Sequence, residues 1–487
     1  MRKIFSIILL LTALIPTPAQ TKYEMRAVWL TTNWGLDWPS QPARTHQETI
    51  NQQAELCNML DSIASMGFNT VFFQARIRGE VFYNSELEPW SPLASGTAGK
   101  APNYDPLSYA IEQCHKRGLE CHAWLITIPT GSNKVAQRHG TSAVSAQQKH
   151  LCVALKGEYY FNPGLPGTAA YLAQLTGEIA RHYDVDGIHL DYIRYPDEAG
   201  KFPDADTYKR YAPIGMTLKD WRMNNITHIV RTISTTVKAI DPTIMVSAAT
   251  LGRYTSIEGR EPITWACTEG ASQDAIMWLD SAYCDFITPM LYYKGESYTP
   301  YLIDWCERTE ESNGIVAGLG IYRMDKKEGN WSLGDISTQI AESRLYGASG
   351  QGCFRARHLW QFPELAILLR DYFYTTPALV PPMRNIDAPS LAPIEQLYVH
   401  KDNESTILSW QPVDGAKRYV VYASQNDSVN INDTSHILST WPVDESNSDK
   451  SQVTFVIPSA TPNYHSFAVT AIDAYRRENT PVYYNAP

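Results

Sequence analysis

Between Tyr23 and about Thr375 the chain alternates between two hydrophobic patterns. The first is a set of short apolar runs: "MRAVWLTT" from Met25, "NTVFFQAR" from Asn69, "LECHAWLI" from Leu119 and "DGIHLDY" from Asp186, then "TIMVSAAT" from Thr243, "DFITPMLYY" from Asp285, "GIVAGLGIY" from Gly314 and "GQGCFRA" from Gly350. Each is almost continuously hydrophobic, the pattern of a strand buried on both faces. The second is a set of segments with apolar residues at helical spacing. "ETINQQAELCNMLDSIASMG" stops at Gly67, and "DPLSYAIEQCHKRG" opens on Asp-Pro and closes at Gly118. "TAAYLAQLTGEIARHY", "TLKDWRMNNITHIVRTISTTVKAI" and "ISTQIAESRLYG" follow the same logic. Strand followed by helix, eight times over, predicts an α/β fold, a (β/α)8 TIM barrel spanning residues 21–375. No Gly-rich dinucleotide fingerprint follows the first strand, which disfavours an open doubly wound sheet.

The pattern then changes. Residues 376–392 lie in the Pro-rich stretch "TTPALVPPMRNIDAPSLAP" and read as a linker. In residues 393–487 the runs alternate with period two: "TILSWQP", "RYVVYAS" and "HSFAVTAIDAYRREN". This predicts an all-β sandwich, and the placing of Trp410, Tyr419 and Tyr422 resembles a fibronectin type III module.

Composition narrows the function. Of 487 residues 44% are hydrophobic and 19% charged, an ordinary globular balance. The net charge of -10 leaves no basic stripe for phosphates, so nucleic acid is not an expected partner. The 13 Trp and 29 Tyr suit stacking on sugar faces as well as filling a core. The first 20 residues pair Arg2 and Lys3 with an apolar run from Ile4 to Ile15 and small residues at Thr17 and Ala19. They read as a signal peptide rather than a membrane span, so a mature protein that is periplasmic or extracellular, and monomeric, is expected. The eight Cys form no CxxC pair and read as buried free thiols, although export permits disulfides.

In a barrel the strand ends and the loops after them carry the chemistry. Strand one offers Arg26, Trp29 and, beyond its end, Asp37. Strand two offers Gln74 and Arg76, then Glu80; strand three, His122 and Trp124; strand four, His189, Asp191, Tyr192 and Arg194. Strands six, seven and eight offer Tyr292, Tyr322 and Arg355. Strand five ends in "AATLGRY" without an acid. Such a lining fits a polyhydroxylated ligand, with rings to stack and Arg and His to donate. Cleaving a glycosidic bond needs a carboxylic acid and a second group to stabilise the sugar centre or activate water. Asp191 is the leading carboxylate, with Arg194 expected to lower its pKa and Glu80 as candidate proton donor. The competing readings are a salt bridge for Asp191, a solvent position for Glu80, a turn role for Asp37 and core positions for His122 and His189. No His, Asp or Glu set has metal spacing, no cofactor is called for, and no nucleophile elbow supports Ser-His-Asp chemistry.

The segments "EMRAVWLTTNWGLDWPS", "GFNTVFFQARIRGEVFYNSELEPWS", "YDPLSYAIEQCHKRGLECHAWL" and "DGIHLDYIRYP" together resemble the glycosyl hydrolase-like 10 family of secreted bacterial barrels. The resemblance implies cleavage of β-1,4 bonds in a bacterial wall glycan of the peptidoglycan type, with catalysis centred on Asp191. The chain departs from the family where Leu190, not a second acid, precedes Asp191, and where Gly79-Glu80 replaces Gly-Asp. "PMLYY" is also similar to the Met-x-Tyr of chitinase-type barrels, in which the N-acetyl group of the sugar supplies the nucleophile. The alternative to an enzyme is a glycan-binding barrel without catalysis.

Overall fold

The computed structural model describes residues 20–485 apart from 198, 310–313, 385, 402–404, 443–451 and 459–462. The expected leader, Gln20 excepted, lies outside the described residues. The chain divides into two compact units: Arg26–Leu368, and Leu369–Pro487 together with Ala19–Met25. The division thus falls at Leu368 rather than at residue 375, and the residues just after the expected leader belong to the second unit.

The first unit is a closed barrel of eight strands in sequential order. They are β1 (Met25–Leu30), β2 (Thr70–Arg76), β3 (Glu120–Ile126), β4 (Gly187–Asp191), β5 (Met245–Leu251), β6 (Phe286–Met290), β7 (Val316–Leu319) and β8 (Gly350–Cys353). All eight coincide with the apolar runs, and adjacent pairs are parallel, as in Ala27↔Thr70 and His122↔Gly187. Every residue of β1, β2 and β3 is buried, because helices cover the outer face and side chains fill the interior. The helices between and after the strands include α1 (His46–Ser65), α2 (Pro106–His115), α3 (Pro166–His182), α4 (Leu218–Ile240), α5 (Ala275–Asp280), α6 (Thr299–Glu307), α7 (Leu333–Leu345) and α8 (Pro363–Leu368). Their starts are set by local chemistry. A capping box joins Thr45 and Glu48 before α1, Asp105 caps α2 ahead of Pro106, and Thr217 caps α4. After β3 the chain makes an excursion in which Pro129–Ser132, Cys152–Leu155 and Glu158–Phe161 form a small antiparallel sheet.

The barrel interior is aromatic. Phe72 and His189 stack with ring centroids 4.1 Å apart, and Trp29 donates from Nε1 to His189 Nε2 at 3.2 Å. His189 Nδ1 lies 2.9 Å from Ser247 Oγ. Burial, with His122 nearby, holds His189 well below the ordinary histidine pKa, so it is a neutral core group. The His122 ring packs over Gly187, where a Cβ would come within 2.2 Å of its Nδ1, and its Nε2 is 3.1 Å from Glu120 Oε2. Arg26 sits at the other end of the barrel from the strand C-termini: its amide donates to Asn69 Oδ1 at 2.8 Å and its guanidinium reaches Gly67 O. Arg26, Trp29, His122 and His189 therefore build the barrel rather than line its mouth.

Among its described residues the second unit carries seven strands in two antiparallel sheets. One has the order β9 (Leu397–Lys401), β10 (Ser405–Trp410), β13 (Val453–Pro458). The other has the order β12 (Ile437–Pro442), β11 (Arg418–Ser424), β14 (Ser466–Ile472), β15 (Val482–Asn485). Leu408, Trp410, Tyr419, Val421, Phe467 and Val469 share one core between the sheets. The opposite face of the four-stranded sheet is covered by Leu379 and Tyr23. Here the Glu478 side chain, 7% exposed, accepts from Tyr23 at 2.6 Å and Thr470 at 2.7 Å, and pairs with Lys22 at 2.6 Å; Tyr422 also donates to it. Burial alone raises the Glu478 pKa, but these donors outweigh it and hold it below the ordinary value.

Candidate active site

Asp191 is the last residue of β4 and is buried. Trp124 Nε1 donates to its Oδ2 at 3.0 Å and the Tyr192 amide to its Oδ1 at 2.6 Å. The second bond depends on local backbone: Tyr192 has φ +50°, a left-handed conformation that non-glycine residues hold only when the surroundings impose it. It turns the amide back onto the preceding side chain. Among the described residues no cation lies within ion-pair distance of Asp191. Burial raises its pKa, against the lowering pull of the Tyr192 amide, Arg194, the Trp124 N–H and Arg78. The expectation that Arg194 keeps Asp191 ionised is therefore reversed in its net sign: Arg194 pulls in the expected direction, but its ion pair is with Asp197 at 3.0 Å, and desolvation wins.

Around this carboxyl the barrel mouth presents rings. Trp124 stands 6.4 Å from Phe354, Phe354 stacks on Tyr292 at 5.6 Å, and Tyr292 meets Tyr322 edge-on at 5.6 Å. Burial, followed by the Asp191 charge, pushes the Tyr292 hydroxyl well above its ordinary pKa, so it stays a neutral donor. Tyr192 is half-buried, with Arg194 4.6 Å and Arg78 5.3 Å from its ring. Arg194 also lies 5.4 Å from the Trp265 ring. Tyr292, Tyr322, Tyr192, Arg194 and Trp124 are thus gathered about Asp191. Phe354, Arg78 and Trp265 join them without having been singled out. Phe354 is apolar and falls in the last strand run of the sequence, and Arg78 and Trp265 lie in loops whose course the hydrophobic pattern does not set.

The other candidates are brought together differently. Glu80 is buried, with Oε1 receiving His139 Nε2 at 2.6 Å and Arg138 at 3.0 Å. It bridges the loop after β2 to the excursion after β3 and is not a free proton donor. Arg76 is sealed in a two-pronged pair with Glu88 at 2.7 and 2.8 Å, both side chains at 0% exposure, so it is closed to a ligand. Gln74 accepts from Thr31 Oγ1 at 2.6 Å and from the Thr32 and Asn33 amides at 2.9 and 2.8 Å, which shapes the loop after β1. Asp37 accepts from the Thr31 amide at 2.9 Å and pairs with Arg355, tying that loop to the end of β8. Burial raises the Asp37 pKa, opposed first by Arg355. Among the described residues no group of three or more His, Cys, Asp or Glu side chains is placed to hold a metal, and no helix is long and apolar enough to cross a membrane. Among the described residues no two Cys form a disulfide.

The glycosyl hydrolase-like 10 family model matches residues 24–329, which runs from β1 through β7. The glycosyl hydrolase YngK of Bacillus subtilis (strain 168) is 28% identical over 494 residues, covering 95% of this chain and 93% of its own. The glycosyl hydrolase DigH of Escherichia coli (strain K12) is 30% identical over 346 residues, covering 65% of this chain and 78% of its own. With that match laid over a closed parallel barrel whose buried carboxyl ends β4, the chain belongs to the glycosyl hydrolase-like 10 family and is an enzyme of the glycoside hydrolase class.

Proposed function

We propose that the protein is exported and cleaves a bacterial cell-wall glycan of the peptidoglycan type, with Asp191 as its catalytic carboxyl. The observation that carries this is the state of Asp191: buried, outside any ion pair among the described residues, and raised in pKa at the end of β4 beside Trp124 and Tyr292. A carboxyl whose pKa burial raises suits protonation of a leaving oxygen, and aromatic walls suit a sugar ring. The carboxylates Asp37, Glu80 and Glu88, which follow β1 and β2, are each engaged by a cation. That isolation favours a reaction in which the 2-acetamido group of the sugar serves as the nucleophile, with Asp191 giving its proton to the leaving oxygen and Tyr292 orienting the acetamido group. The charged start and apolar run of the first 20 residues support export. The strand order of the two C-terminal sheets supports a fibronectin type III-like module, which serves as a spacer or binding unit.

The test is incubation of the purified protein with peptide-free wall glycan and mass analysis of the products. The parent protein releases short fragments with retained anomeric configuration. The Asp191→Asn variant binds fragments and releases none. Cleavage by that variant at the parental rate removes Asp191 from the chemistry, and an inverted product removes the acetamido nucleophile. Binding without cleavage by the parent would instead identify a glycan-binding barrel, the reading that an isolated carboxyl also favours.

A further inference from the structure

Most arginines near the strand C-termini have a carboxylate. Arg76 pairs with Glu88, Arg78 with Glu158 at 3.5 Å, Arg194 with Asp197 and Arg355 with Asp37. Arg253 differs: among the described residues no carboxylate lies within ion-pair distance of it and no atom accepts a hydrogen bond from its guanidinium. It follows β5 by two residues, at the same end of the barrel as Asp191 on the adjacent strand β4. The residue is half-buried, and its Nε is buried without a partner. Its guanidinium is held between two rings, 4.4 Å from Tyr293 and 4.8 Å from Tyr301. The approach needs Gly252, where a Cβ would stand 2.9 Å from the Tyr293 ring and 2.3 Å from Met290 O. Arg323, which follows β7, also lacks a carboxylate within ion-pair distance among the described residues. It donates to Glu328 O at 3.0 Å, lies 5.2 Å from the Tyr322 ring and has a buried, unpartnered Nε. Tyr293 senses both guanidinium charges, which lower its pKa against a larger raising effect of burial.

Rings on a guanidinium fix its plane through cation–π contact while leaving its N–H edge open. A planar fork of donors fixed in this way matches a carboxylate better than it matches a hydroxyl. We infer that Arg253, supported by Arg323, receives a carboxylate carried on a sugar of the substrate, so that the enzyme selects an acidic glycan. This rests on the glycan-cleaving reading above and adds the substituent that the site selects.

The experiment compares peptide-free wall glycan with the same glycan after chemical reduction of its carboxyl groups to alcohols. The parent protein should show a KM about tenfold lower for the acidic glycan, the scale of one charge-assisted hydrogen-bonded pair. Arg253→Ala should erase that preference by raising KM on the acidic glycan alone, while kcat on the reduced glycan stays at the parental value. Arg253→Lys, which keeps charge without the fork, should restore part of the preference. Equal KM values for the two glycans in the parent, or an Arg253→Ala effect of the same size on both, would overturn the assignment. Should the parent cut neither glycan, the glycosidase reading fails. Calorimetric binding of acidic against reduced fragments then decides Arg253: a preference lost in Arg253→Ala supports it, and equal binding rejects it.

Discussion

Replacing Glu88 separates a structural role for Arg76 from a ligand-binding one. Arg76 and Glu88 face each other through two hydrogen bonds with no exposure on either side. Arg76 also donates to the carbonyls of Ile126 and Thr127, the latter at 3.0 Å, which stitches the end of β2 to the end of β3. Glu88→Ala leaves a buried guanidinium without its counter-charge, and breaking such a pair costs about 3–5 kcal/mol. At roughly 2 °C per kcal/mol for a domain of this size, the barrel transition in scanning calorimetry should fall by about 6–10 °C. The double variant Arg76→Met/Glu88→Leu removes both charges. It should recover part of that loss but not all, because the carbonyls of Ile126 and Thr127 lose a donor at about 1–3 kcal/mol for each one left unsatisfied. A Glu88→Ala protein that melts with the parent while its KM rises would refute the structural assignment and return Arg76 to the binding surface.

Three further outcomes follow from the geometry. Asp191 has a raised pKa in the fold, so its favourable contribution is complete below the ordinary carboxylate value near 4 and is lost as pH rises through the folded value. Asp191→Asn should therefore melt above the parent at pH 7 and approach it at pH 4; a pH-independent difference contradicts the shift. Trp124→Phe removes the N–H on Asp191 Oδ2 and should lower kcat about tenfold or more with little change in KM, as read by steady-state kinetics. Gly187→Ala drives a methyl group into the His122 ring and should destabilise the barrel by about 1–3 kcal/mol, measured by the same calorimetry.

The barrel was legible because its strands are buried on both faces and so leave unbroken apolar runs in the sequence. Asp191 was legible for a related reason: a carboxylate closing such a run has to stand at a strand end. The fate of the other polar residues was not, since it depends on where a distant partner arrives. Arg76 meets Glu88 from the loop that follows it, and Glu80 meets Arg138 and His139 from the excursion after β3. Strand position alone gives no warning of either encounter. His122 and His189 carry the period of mouth residues but lie too deep in the barrel, where Phe72 and Gly187 fill the space around them. Arg253 is visible within "AATLGRY", but a cation becomes informative only once its surroundings are known, here two rings and no carboxylate among the described residues.

The clasp of Lys22 and Tyr23 on Glu478 makes residues that precede the barrel part of the unit that follows it. The barrel is thus an insertion in the connectivity of the second unit, which gains its last strand only after the whole barrel has been synthesised. Trimming the chain to begin at Glu24 would strip two of the four donors from a buried carboxylate hundreds of positions away in sequence. The damage would register in the β-sheets, so the exact start of an expression product is a stability variable for the far end of the molecule.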